Sequence, residues 1–142
     1  MATYTKYEPF VESVYNKLID AFGTTDTWKA VIHTDAPDTA NDDELADLTQ
    51  ISGNNGYTTG GENITFNSTR SGATITATAV DVVWTAVTGN LGSSTTGRYV
   101  SYHDDTSTTD RLAASWDYAA TFTVAVGETF TLDFGASLWT AT

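Results

Sequence analysis

The chain has 142 residues, enough for one domain with a core that needs no covalent staples. It carries 18 acidic and 6 basic residues, a net charge of −12, and no cysteine. This excludes disulfides and thiolate metal sites, and it makes nucleic-acid binding a poor expectation because the surface repels phosphate. The 28 threonines favour pleated, half-exposed surfaces and so β structure.

The N-terminus, MATYTKYEPF, has no basic region followed by an apolar run, and no apolar stretch approaches a membrane span. Residues 1–5 read as a loose N-terminal arm. Residues 7–22 read as the one long helix. Tyr7, Phe10, Val11, Val14, Tyr15, Leu18, Ile19 and Phe22 follow i, i+3, i+4 spacing, Pro9 suits the first turn, and Gly23 suits the C′ position.

From residue 27 the pattern turns to β. TWKAVIH at 27–33 is the first strand. Residues 34–47 form an acidic loop around Pro37 that ends in a short helical turn, with Asn41 or Asp42 as its N-cap. SGNNGYTTGG at 52–61 is a glycine-rich loop. It lacks the lysine and the following helix of a phosphate-binding loop. Residues 62–68 form a strand with Ile64 and Phe66 inward, and Ser71-Gly72 marks a turn.

The run 73–84 changes phase. Ala73, Ile75, Ala77 and Ala79 lie on one face, then Val80, Val82 and Trp84 on the other. A bulge or a switch between sheets near Val80-Asp81 reconciles them. Residues 87–97 are a loop, 98–103 a strand, 104–110 a polar turn, and 136–142 a last short strand or ordered tail.

The stretch 111–134 holds three alternating runs. Leu112, Ala114, Trp116 and Tyr118 form the first, Phe122, Val124 and Val126 the second, and Phe130, Leu132 and Phe134 the third. A type II′ hairpin at Gly127-Glu128 sets Val124 opposite Thr131, so the apolar faces disagree. Either the loop is one residue longer or the runs belong to opposing sheets. The whole reads as a single domain, 1–142, with the β region over 27–142. The expected class is mainly β: an antiparallel β-sandwich or jelly-roll-like domain of about eight strands with one N-terminal α-helix.

No catalytic motif stands out. His33 with Asp35, and His103 with Asp104 and Asp105, use ordinary ligand types, but two histidines do not make a facial triad. They read as strand-end histidines beside solvated carboxylates, and no metal, cofactor or catalytic residue is assigned. The acidic loop 35–47 misses the calcium-loop spacing. Many carboxylates are present, but nothing marks a glycosidase pair. Ser115-Trp116-Asp117 lacks a nucleophile-elbow context. Trp28, Trp84 and Trp116 sit on apolar strand faces, which leaves Trp139 as the candidate exposed aromatic.

ATYTKYEPFVESVYNKL, WKAVIHTDAPDT, ELADLTQISGNNGYTTGG and SYHDDTSTTDRLAASWDYAATFTVAVGETFTLDF together resemble a small virion-associated protein group of tailed bacteriophages. The resemblance spans most of the chain and rests on turn and core residues, so it speaks to fold more than chemistry. It implies a structural protein, and among those a capsid decoration (cement) protein without enzymatic activity. Such a protein is made in the host cytoplasm, sits on the capsid surface, and binds the major capsid protein and itself as a homodimer or homotrimer. It engages no nucleic acid and no membrane. The expected contacts are the arm (Thr3, Tyr4, Lys6), the loop 54–61 with Asn54, Asn55, Gly56 and Tyr57, and Trp139, because arms and glycine-rich loops adapt to partner surfaces. The alternative is a tail- or fibre-associated receptor-binding module.

Overall fold

The computed structural model describes residues 2–21, 25–93 and 96–141. In chain order the elements are β1 (Thr3–Lys6), α1 (Glu8–Tyr15), β2 (Trp28–His33), a 3₁₀ turn (Leu45–Asp47), β3 (Glu62–Ile64), β4 (Phe66–Ser71), β5 (Thr74–Ala79), β6 (Val82–Thr85), β7 (Gly97–Asp104), β8 (Arg111–Phe122), β9 (Thr129–Leu132) and β10 (Trp139–Ala141). The chain is mainly β, with antiparallel pairing throughout. A five-stranded sheet runs β1-β8-β7-β2-β3, a three-stranded sheet β10-β5-β4, and β6 pairs with β9. The described strands number ten in three sheets, against the expected eight or so.

Aromatic side chains join the sheets. Trp139 of β10 stacks on Tyr102 of β7 (5.9 Å between centroids, 10° between planes) and meets Trp28 of β2 and Phe66 of β4. Phe130 of β9 stacks on Phe122 of β8 at 4.3 Å. Trp28, Trp84 and Trp116 are buried, as their strand positions require.

The phase change at Val80-Asp81 is a switch between sheets. β5 belongs to the three-stranded sheet, β6 pairs with β9, and the two intervening residues stand exposed. The conflict in 111–134 resolves the same way. β8 runs on to Phe122 in the five-stranded sheet, while β9 lies in another, so the two apolar faces never had to agree. Residues 123–125 are not strand, and Val126 is exposed. The turn is also of a different type. The Ala125 carbonyl accepts from the Glu128 N–H at 2.9 Å, and Gly127 takes φ +85° at the third position, which is type II rather than II′.

Two expected segments differ. The N-terminus is no loose arm, because Thr3–Lys6 pairs with β8 from Thr3 opposite Asp117 to Lys6 opposite Ala114. The helix stops at Tyr15, seven residues before the expected end. Lys17 takes the left-handed C′ position (φ +57°). Its N–H donates to the Val14 carbonyl, and the Leu18 N–H to that of Ser13, the paired bonds of a Schellman end. Ile19 and Ala21 are buried by the chain beyond the helix, so their apolar spacing came from burial rather than helical continuation. Phe22 and Gly23 lie outside the described residues. The 3₁₀ turn is capped at Glu44, two residues past Asp42: the Asp47 carboxylate accepts from the Asp43 and Glu44 N–H groups.

Candidate functional site

Alternation along β2 and β7 gives the five-stranded sheet two different faces. Trp28, Ala30 and Ile32 share one face with Val100 and Tyr102, and face the aromatic core. Lys29, Val31 and His33 share the other with Tyr99, Ser101 and His103. This second face is polar yet buried, covered by Tyr7 and by loops from 34 to 61. Both histidines sit on it and both are fully buried. They stand at strand ends, as the sequence suggests, and are shut away from solvent there.

At the His33 end a directional relay forms. The Tyr7 hydroxyl lies 3.0 Å from Ser101 Oγ, which lies 2.9 Å from His33 Nε2. His33 Nδ1 faces the Asp35 carbonyl at 3.1 Å and its carboxylate at 3.3 Å. The carbonyl can only accept, so Nδ1 carries the proton and Nε2 accepts from Ser101, whose oxygen accepts from Tyr7. Burial holds the His33 imidazole below its ordinary pKa, against the opposing pull of Asp35, and pushes Tyr7 up to about 12. The order of groups matches a serine hydrolase triad. Ser101, however, is wholly buried with Tyr7 on its open side, so no substrate carbon can approach within bonding reach. The relay ties the helix start and the 34–50 segment to the sheet. The Asp35 carboxylate extends it by accepting from the Thr49 N–H at 2.9 Å.

At the other end, His103 Nε2 donates to the Gly60 carbonyl at 3.2 Å, while Nδ1 is buried with no hydrogen-bond partner. One ring nitrogen of His103 and one carboxylate oxygen each from Asp105 and Asp110 lie within 4.8 Å of one another. These are the residues, among those described, that could hold a metal. Asp105 also pairs with Lys29 at 2.8 Å. Burial keeps the His103 imidazole below its ordinary pKa and therefore neutral at pH 7. Asp104, its sequence neighbour, belongs to the opposite face. Burial first, and then the Asp26 carboxylate, push it up to about 6, although its Oδ1 accepts from the Thr106 and Ser107 N–H groups. Sequence reading grouped Asp104 with His103 and passed over Asp110. The period of two would have separated the neighbours, and the DDTSTTD turn held the signal for Asp110.

The expected contact residues divide. Thr3, Tyr4 and Lys6 are exposed, on the outer strand of the five-stranded sheet, with Tyr4 set edge-on to Trp116 at 5.2 Å. Asn54 is exposed. Asn55 is half-buried and pinned: it donates to the Asn90 carbonyl at 3.0 Å and accepts from the Thr88 hydroxyl at 2.8 Å. Gly56 seats against the backbone, where an added Cβ would stand 1.9 Å from the Thr85 carbonyl oxygen. Tyr57 is a core residue, 3% exposed, whose hydroxyl accepts from the Ile32 N–H and donates to the Gln50 side chain. Trp139 is half-buried within the aromatic cluster that also holds Phe10. Tyr57 thus serves the fold, and Trp139 packs on the core with part of its surface left open.

The longest unbroken exposed run among the described residues carries no mark in the sequence. Residues 67–73, the outer strand and turn of the β4–β5 hairpin, are exposed without a break, on both strand faces. β4 pairs only with β5 among the described strands. The run NSTRSGA includes Arg70, whereas Lys29, Arg98 and Arg111 are each committed to an aspartate. The remaining surface keeps the strong acidic excess. Compared with protein-family models, curated proteins and solved structures, the chain matches none.

Proposed function

We propose that this chain is a structural protein of a tailed-bacteriophage virion, and specifically a capsid decoration protein. It docks on the outer surface of the assembled head and braces neighbouring major capsid subunits, without catalysing a reaction. The observation that carries the reading is the β4–β5 hairpin, with seven consecutive exposed residues and an outer strand that pairs with β5 alone among the described strands. A strand of this kind adds to a partner's sheet or lies across its surface through main-chain hydrogen bonds. Its Ser, Thr, Asn and Arg side chains keep it soluble before assembly. β1 offers a second open edge, with Thr3, Tyr4 and Lys6 exposed. The burial of Ser101 and of both histidines supports a role in contact rather than chemistry.

On this reading the sheets form a jelly-roll-like sandwich, and a homodimer or homotrimer engages several capsid subunits at once. Each weak contact is strengthened by tethering. The resemblance to phage virion proteins supports the reading, and so does an acidic surface that avoids packaged DNA.

Copy number tests it. Purified virions quantified by mass spectrometry against the major capsid protein should contain this chain at a ratio near one, or at another simple high fraction. A few copies per hundred capsid subunits would overturn decoration and favour the tail or fibre location.

A further inference from the structure

We propose that His103, Asp105 and Asp110 bind a divalent transition-metal ion, with Zn²⁺ as the representative probe. Three donors from the end of β7 and the following turn already lie within 4.8 Å of one another. Donors held by one ion at ~2.1 Å stand at most roughly 4.2 Å apart, so closure needs only a small rotation of two half-exposed aspartates.

The independent observation is the imidazole. His103 is wholly buried, yet Nδ1 has no hydrogen-bond partner. Its other nitrogen donates to the Gly60 carbonyl, the outer contact that fixes the tautomer and leaves a lone pair on the free nitrogen of a metal-binding histidine. A neutral nitrogen with two carboxylates suits Zn²⁺ or a similar ion. Ca²⁺ and Mg²⁺ instead want a shell of oxygens. The two carboxylates balance the ion's charge, and water completes the coordination.

Lys29 is the built-in competitor. Its ammonium holds Asp105 Oδ2 at 2.8 Å, and a bound ion must displace it or share the carboxylate with it. The ion would join the 104–110 turn to the end of β7 and, through His103, to the 52–61 loop.

The test is calorimetric titration of the full chain with ZnCl₂ and separately with MgCl₂. Zn²⁺ should bind at one ion per chain, and Mg²⁺ should show no comparable event. Asp110→Asn should weaken Zn²⁺ at least about 10-fold, and Lys29→Met should tighten it. His103→Ala risks misfolding because the ring is buried, so the half-exposed Asp110 keeps the proposal falsifiable. Absence of a stoichiometric Zn²⁺ event would overturn it. Unchanged affinity in a folded Asp110→Asn protein would also do so, since the binding would then belong to scattered surface carboxylates.

Discussion

His33 and His103 lie on the same face of the same sheet, on neighbouring strands, and are equally buried. Their surroundings differ in one respect. His33 has a protein partner on each nitrogen, Ser101 on one side and Asp35 on the other. His103 has Gly60 on one side and nothing on the other, with two aspartates close by. Burial and a depressed pKa are common to both and therefore do not mark function. Saturation of the ring nitrogens is what separates a structural histidine from one with capacity to spare.

The comparison can be broken most forcefully at His33. Replacing it with Ala removes a packed ring and strands both the Ser101 hydroxyl and the Asp35 contact, with an expected cost of about 3 kcal/mol. Tyr7→Phe removes only the terminal donor of the relay, for about 1 kcal/mol. Urea denaturation of the two variants should rank them in that order, and equal losses would mean that the relay does not act as a connected chain.

A smaller effect sharpens the other side. Without added metal, Asp110→Asn should change stability by less than about 0.5 kcal/mol, because the side chain is half-exposed and carries no structural bond of the kind made by Asp35. A loss comparable to that of Tyr7→Phe would make this end structural as well.

The subtlest effect is in pH. Both native histidines resist protonation, whereas the unfolded chain takes up those protons near 6.5, so stability falls as pH drops below that value. Asp104 acts in the opposite sense. Its native carboxyl binds a proton near pH 6 and its unfolded one only near 3.8, so its contribution is full below 3.8 and is lost as pH rises through about 6. Asp104→Asn removes that offset. Chemical denaturation between pH 7 and 4.5 should therefore show a steeper decline in the variant than in the wild type, and parallel curves would contradict the assignment.

How much of this was legible in the sequence depended on range. Period two marks most of the strands, though not β1, and the broken phase at Val80-Asp81 allows a bulge or a sheet switch, because alternation is local. The disagreement between Val124 and Thr131 likewise leaves a longer loop or separate sheets, and the structure has separate sheets. Range was also the limit. Apolar spacing extends the expected helix to residue 22, because it does not distinguish a helix face from a buried loop, and Lys17 takes a position that usually selects Gly. Its place near the end of the sequence suggests an outer anchor in Trp139, but the stack that half-buries it comes from Tyr102, on another sheet. The relay joins Tyr7 to Ser101 across 94 positions and His33 to Ser101 across 68, and no local pattern records such partners. The β4–β5 hairpin was found as a strand and a turn. Its exposure on both faces follows from what fails to pack on it, which sequence does not carry.

Sedimentation decides whether the proposed docking of the exposed edges on a phage head takes place. The purified chain would be mixed with heads stripped of it, beside a Thr69→Asp, Arg70→Asp double variant that alters only exposed residues of β4. Saturable pelleting of the wild type is expected, at a fixed ratio to capsid subunits, with clearly weaker pelleting of the variant. Heads that leave the wild type in the supernatant, or that carry both proteins down equally, would contradict it.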